Sequence, residues 1–330
     1  MHELLDLIQR NHSFWLCGHE NPDGDCIGSQ VALYHLLTTL GKQVVVHNPD
    51  PPGAAIDFVL SQTPISAHGG DRQAPRADVL VLLDCAWLQR LGALEAVVRA
   101  NPPRAIAVID HHVGSEAGDG QVSYVDPDAP STGALVYRMY KQLGRALSPV
   151  AAEGVFLSLV ADTGWFRYSN TTAEVFSIAA DLVECGVAPS RVFDLMFRRN
   201  DPESVAMLAR GLARQERLLE GRYAYSAMER GAVEHAKQVG FDTDAIMEPL
   251  RSVRGTEVVA LFKELGTSLV KISLRAVNDV DVQAIAAQFG GGGHRKAAGA
   301  QIRLSLADAI VAVRKKVESA LAGASADRGP

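Results

Sequence analysis

The stretch Ala105-Ile106-Ala107-Val108-Ile109-Asp110-His111-His112 decides how this chain is read. Five apolar residues run without a break and end on a carboxylate and two imidazoles. A run without polar alternation is what a strand covered on both faces looks like. Residues 78–84 (DVLVLLD) repeat the pattern and end on Asp84. Residues 14–18 form a shorter apolar run, followed by His19-Glu20-Asn21-Pro22-Asp23-Gly24-Asp25. Between these runs, residues 27–40 carry apolar side chains near a 3.6 period and stop at Gly41. Residues 44–47 read as a strand and 86–99 as a helix. Strands alternating with helical segments predict an α/β fold with a parallel sheet and crossover helices.

Working outward, residues 131–199 read as mostly helical. Asn200-Asp201-Pro202 is a turn, with Asp201 placed to cap the helix that follows. After Gly221 the character changes: a strand at 223–228, a hairpin over 257–276, a short helix at 281–289, four consecutive glycines, a strand at 300–304 and a last helix at 306–321. The expected organisation is a catalytic parallel-sheet domain at 1–188, a helical linker at 189–221, a smaller α/β domain at 222–322 and a disordered tail at 323–330.

Composition limits the function. The chain has 330 residues, 47% of them hydrophobic and 21% charged, which excludes disorder over most of its length and allows two cores. No apolar run reaches the roughly 18 residues of a membrane span, and residues 1–10 lack a signal pattern. A cytoplasmic protein with no membrane partner is expected. The four cysteines show neither CxxC pairing nor a disulfide framework. A formal charge of −6 argues against a long nucleic-acid duplex as partner, but not against a short ligand in a local pocket.

The strand ends are chemically loaded. Ligands in open α/β sheets bind beyond the carboxyl ends of the strands. There the sequence gathers His19, Asp23, Asp25, Asp84, Asp110, His111 and His112. Packed carboxylates repel one another unless positive charge sits among them. Pro22 and Gly24 make a turn that aims His19, Asp23 and Asp25 at one point. A mixed His/Asp set suits Mn²⁺, Zn²⁺ or Fe²⁺ better than cations that prefer all-oxygen shells. Two ions need about six ligand residues, and Asp162 is the best-placed further carboxylate. In the second half, four glycines before His294 allow close backbone approach and an anion nest, and Arg275 can grip a phosphate.

Asp110-His111-His112 after an apolar strand, His19-x3-Asp23-x-Asp25 upstream and Asp84 between resemble the DHH phosphoesterase superfamily. Ser273-Leu274-Arg275, Asp281-Val282, Gly290-Gly291-Gly292-Gly293-His294 and Ala297-Ala298-Gly299 resemble the DHH-associated domain. In this order and length, both halves look like the nanoRNase/pAp phosphatase branch. The resemblance implies a DHH domain joined to a smaller DHH-associated domain, and two Mn²⁺ ions, with Mg²⁺ or Co²⁺ as substitutes. It assigns one ion to His19, Asp23 and Asp84. The other falls to Asp25, Asp84, His111 and Asp162, with Asp84 shared. Asp110 orients the histidines, and His112 faces the substrate phosphate. Gly290, Gly291, Gly292, Gly293, His294 and Arg275 hold the nucleotide. His112, Asp84 and Arg275 form the catalytic set, acting with metal-activated water on phosphorus.

The implied substrates are short single-stranded RNA, cut to mononucleotides, and pAp. A homodimer is compatible with the family. Two other readings stay open: a cyclic or linear dinucleotide phosphodiesterase (c-di-AMP, pApA, pGpG) on the same scaffold, and a non-catalytic nucleotide-binding regulator.

Overall fold

The structure, a computed structural model, describes residues 1–69, 74–115, 118, 120–278 and 280–326. The chain divides into two compact units, Met1–Arg199 and Asn200–Pro330, with the boundary inside the expected linker.

In the first unit the elements are α1 (His2–Arg10), β1 (Ser13–Cys17), α2 (Gly24–Thr39), β2 (Gln43–Asn48), β3 (Ile65–Ala67), β4 (Val79–Leu83), α3 (Ala93–Ala100), β5 (Ala105–Asp110), β6 (Val122–Val125), α4 (Thr132–Gln142), α5 (Pro149–Asp162), α6 (Ala173–Glu184) and α7 (Pro189–Phe197). The six strands pair in the order β3-β2-β1-β4-β5-β6, all parallel. The order reverses between β1 and β4, and that switch point is where open α/β sheets open a crevice at the strand carboxyl ends.

The apolar runs are long because each strand is covered twice. Phe14, Leu16, Val79, Val81, Leu83, Ala107 and Ile109 enter the core shared with α1, α2, α4 and α5. Trp15, Cys17, Leu80, Leu82 and Val108 enter a second core under α3. Each fully buried aliphatic side chain contributes roughly 1.5–3 kcal/mol. The expected helix at 86–99 is a short 3-10 turn at Leu88–Leu91 followed by α3.

Helices α2 and α5 approach backbone to backbone. A Cβ on Gly28 would stand 2.4 Å from the Gly154 carbonyl oxygen, and one on Gly24 would meet Ala161 at 2.7 Å. This small-residue seam lets the N-terminus of α2 and the C-terminus of α5 meet at the strand ends.

The second unit contains α8 (Pro202–Ala213), β7 (Glu216–Leu218), β8 (Tyr223–Met228), α9 (Arg230–Gln238), α10 (Met247–Arg251), β9 (Val258–Gly266), β10 (Leu269–Ala276), α11 (Val282–Ala287), β11 (Gly292–His294), β12 (Ala297–Ile302) and α12 (Leu306–Ala326). Asp201 caps α8 by accepting from the Ser204 amide at 2.8 Å, as expected. The mixed sheet runs β11-β12-β10-β9-β8-β7. One face packs on α11 and α12, the other on α8, α9 and α10. The last helix continues through Ala326, past its expected end, and residues 327–330 of the expected tail lie outside the described residues. Among the described residues, no helix is long and apolar enough to cross a membrane.

Candidate metal centre

Three strand ends and two helix ends converge at the switch point. His19 follows β1; its Nδ1 lies 2.8 Å from the Glu20 carbonyl, which turns Nε2 toward Asp84 Oδ2 at 3.2 Å. Asp23 caps α2: its Oδ1 accepts from the amides of Asp25 and Cys26 at 3.0 and 3.1 Å. Asp84 follows β4 with φ +61°, a left-handed conformation that aspartate tolerates better than most residues. Its amide continues the sheet to the Ile109 carbonyl at 3.0 Å, so its carboxylate turns back over the strand ends.

The ligand atoms of His19, Asp23 and Asp84 lie within 4.8 Å of one another, as do those of Asp25, His111 and Asp162 and those of Asp84, His111 and His112. His111 Nε2 stands 2.8 Å from Asp162, 3.4 Å from Asp25 and 3.7 Å from Asp84. Its Nδ1 lies 3.2 Å from the Ala129 carbonyl, which leaves Nε2 for the cluster. The sequence places six residues here as ligands, and the fold brings all six together.

The cluster is electrostatically unhappy without cations. Burial, then the Asp162 charge, pushes the Asp25 carboxyl up to about 7, against the opposing effects of His111, Ser158 and Thr132. Asp84 is raised well above the usual carboxylate range by burial and by Asp25, Asp23, Asp162 and Asp110. Burial works against a charged His111, yet the hydrogen bond to Asp162 and the Asp25 charge push it up to about 9. Protons therefore occupy the positions that divalent ions would neutralise. Imidazole nitrogens and carboxylate oxygens in two adjoining groups fit a pair of first-row divalent ions.

Asp110 is fully buried. Its Oδ1 accepts from the amides of His111 (2.8 Å) and His112 (3.2 Å) and faces His112 Nδ1 at 2.8 Å, while Oδ2 accepts from the Ser115 hydroxyl. Burial alone would raise this carboxyl, but the His112 and Ser115 hydrogen bonds hold it low. His112 is 51% exposed, with Nδ1 on Asp110. Its Nε2 is thus the atom left for a ligand.

Sequence reasoning missed the groups that hold Asp25. Oδ2 accepts from the Thr132 amide at 2.9 Å, and Oδ1 from the Gly133 amide at 3.2 Å and the Ser158 hydroxyl at 2.6 Å. Ser131 caps α4 and pairs with Ser158 at 2.8 Å. Asn170 donates to the carbonyls of Pro130 and Asp162, tying the start of α4 to the end of α5. Ser131-Thr132-Gly133 before a helix was a readable signal for an anion-holding N-terminus. Ser158, alone in the apolar stretch 155–160, offered none.

In the second unit, Arg275 Nη2 pairs with Asp244 at 3.3 Å, and Nη1 donates to the Leu274 carbonyl. The glycine run is part loop and part edge strand, because β11 pairs with β12. Gly291 is required by packing: a Cβ there would stand 2.2 Å from the Gly299 carbonyl oxygen. Gly292 faces open space, and His294 is exposed.

Residues 13–159 match the family described as DHH family, N-terminal domain, and residues 221–323 match the DHHA1 domain. The chain is 32% identical over 292 residues to the "Bifunctional oligoribonuclease and PAP phosphatase NrnA" of Thermus thermophilus, covering 88% of this chain and 84% of that protein. The protein of the same name from Bacillus subtilis is 24% identical, covering 91% and 92%. The crystal structure of an exopolyphosphatase-related protein from Bacteroides fragilis superposes with a TM-score of 0.86 at 23% identity, covering 96% of this chain and 95% of that one.

Proposed function

The chain belongs to the DHH family with an appended DHHA1 domain, and from that premise we propose a metal-dependent phosphoesterase that degrades short RNA oligonucleotides to mononucleotides and dephosphorylates pAp. The observation that carries the reading is the convergence of His19, Asp23 and Asp84 beside Asp25, His111 and Asp162 at the switch point of the parallel sheet. A relative 32% identical over most of both chains bears the name of that activity.

His19, Asp23 and Asp84 would hold one ion, and Asp25, Asp84, His111 and Asp162 the other, with Mn²⁺ as the ion we assign. When bound, such ions supply positive charge against a phosphoryl group and acidify water. The rest falls to side chains. Asp110 fixes His112 through Nδ1, so Nε2 meets a non-bridging phosphoryl oxygen and holds the proton that the leaving oxygen needs. Asp84 keeps His19 oriented at 3.2 Å. In the second unit, Arg275, His294 and the glycine run hold the nucleotide. Residues 1–188 form the catalytic part, 189–221 the linker and 222–322 the substrate-binding part. The substrate is short and single-stranded.

The test is product analysis on 5′- and 3′-labelled di- to pentaribonucleotides, pAp and c-di-AMP with and without Mn²⁺. Mononucleotides from RNA and inorganic phosphate from pAp are expected. Cleavage of c-di-AMP alone, or nucleotide binding without turnover, overturns the reading.

A further inference from the structure

The end of β2 holds none of the candidate ligands, yet it grips the chain that carries His19 at two points. Asn48 Oδ1 accepts from the Gly18 amide at 2.9 Å, and Asp50 Oδ2 accepts from the Asn21 amide at 2.9 Å. Gly18 immediately precedes His19, and Asn21 follows it by two residues in a left-handed conformation, φ +52°. The backbone pairing of β1 with β2 runs only as far as Leu16 and Val46. Beyond it, the Asn48 carbonyl serves the β3 side by accepting from the His68 amide at 2.8 Å, and its side chain takes up the chain leaving β1.

Asn48 is itself locked. A backbone N–H can only donate, so the Asn48 atom facing Gly18 is the oxygen, and that choice fixes its nitrogen on the other side. Nδ2 donates to Gln30 Oε1 at 2.8 Å, and Gln30 Nε2 donates back to Asn48 Oδ1 at 2.8 Å. Both side chains are fully buried, where an unpaired amide group costs its whole desolvation. Gln30 lies one turn beyond Cys26 on α2, and its Nε2 also reaches Cys26 Sγ at 3.5 Å. Strand end and helix meet closely: a Cβ on Gly18 would stand 2.0 Å from that sulfur. The closed amide ring therefore ties the end of β1 to the helix whose start carries Asp23 and Asp25.

We propose that Asn48, oriented by Gln30, and Asp50 are positioning residues for His19, and so set how tightly the ion assigned to His19, Asp23 and Asp84 is held. The proposal rests on the metal-dependent reading of the site. It separates the two ions by what supports their ligands: in the other group, Asp25 is held by Thr132 and Gly133 of α4 and Ser158 of α5. Gln30 acts through Asn48, not on His19 directly.

The experiment uses the full chain with Asn48→Ala, Gln30→Met, the two together, and Asp50→Ala beside Asp50→Asn. In calorimetric Mn²⁺ titration, Asn48→Ala, Gln30→Met and Asp50→Ala should each weaken one class of site about tenfold and leave the other unchanged. The double variant should be no weaker than Asn48→Ala alone, because the two side chains act as one unit. Asp50→Asn keeps an acceptor for the Asn21 amide and should restore wild-type affinity. At the Mn²⁺ concentration that just fills both wild-type sites, the paramagnetic-resonance spectrum should pass from that of a coupled pair to that of an isolated ion. Lower melting temperatures with both affinities unchanged, or equal weakening of both sites, overturn the proposal. Should Asn48→Ala not fold, Gln30→Met and the Asp50 pair carry the test. A metal-free arm follows amide hydrogen exchange in chelator: Gln30→Met, which leaves Asn48 in place, should speed exchange at Gly18, and unchanged protection there overturns the proposal. Wild type that binds no Mn²⁺ overturns the metal-dependent reading instead, and the exchange arm still reads the hold on Gly18.

Discussion

The Ser158 hydroxyl donates to Asp25 Oδ1 at 2.6 Å, joining two fully buried residues 133 positions apart in the chain. The contact lies where α2 and α5 cross, beside the amides of Thr132 and Gly133 that engage the same carboxylate. Asp25 therefore reaches the metal cluster with its orientation set in advance.

Removing that donor, with Ser158→Ala, leaves Asp25 more weakly solvated and freer to rotate. Mn²⁺ affinity should fall by about 10–100-fold, as for other groups that orient metal ligands, with the far-UV spectrum unchanged. Calorimetric metal titration checks this; wild-type affinity would sink the positioning role.

Asp84→Asn is preferable to Asp84→Ala because asparagine tolerates the φ of +61°. The substitution removes one of several mutually repelling buried carboxyls. The metal-free protein should therefore melt a few degrees higher at pH 8, consistent with about 1–2 kcal/mol. Activity should fall more than about 100-fold, the loss expected if the proposed role of Asp84 as a shared ligand holds. Thermal melts in chelator, with assays in Mn²⁺, give both numbers.

Metal uptake should release protons. Asp25 rises from its ordinary 3.8 to about 7 in the fold, so the folded metal-free protein holds this proton more tightly than the unfolded chain. Its stability therefore declines as pH climbs from about 4 to 7. His111, raised to about 9, contributes stability that is whole below about 6.5 and is lost as pH rises through 9. Cations displace both protons, so apparent Mn²⁺ affinity should increase from pH 6 to 9. Calorimetry in buffers of different ionisation heat should count more than one proton released at pH 6.5.

The α2–α5 seam should be intolerant of one methyl group. A Cβ on Gly154 would stand 2.8 Å from the Gly28 carbonyl oxygen and 2.9 Å from Val31. Gly154→Ala should cost about 1–3 kcal/mol in urea unfolding, as overpacking does, and should also weaken Mn²⁺ binding by moving Asp25 relative to Ser158. Loss of stability with unchanged metal affinity would separate the seam from the site.

His294→Ala should weaken binding of pAp about tenfold and leave Mn²⁺ affinity alone. A change in metal affinity would contradict its assignment to the nucleotide.

The parallel sheet was legible because strands covered on both faces become unbroken apolar runs, and 79–83 and 105–109 are such runs. The candidate ligand residues were legible as a group because most of them sit at or just beyond the ends of such runs. What the sequence could not express is proximity between distant segments. Nothing local marks Ser158 as the partner of Asp25, or Asn170 as the tie between Pro130 and Asp162. The glycine run invited a loop-only reading, but β-pairing with 297–299 explains part of it.

The reversal of strand order between β1 and β4 also sets when the site exists. His19 and Asp84 lie 65 residues apart, and Asp25 and Thr132 lie 107 apart. Loop closure over such separations is slow, and parallel pairing is among the slowest steps of folding. A nascent chain that has made only β1, α2 and β2 carries His19, Asp23 and Asp25 but no cage. A metal held by these residues would therefore not nucleate the fold: its full ligand set would exist only after the sheet's centre had closed, and a chain misfolded at β1–β4 would lack that set.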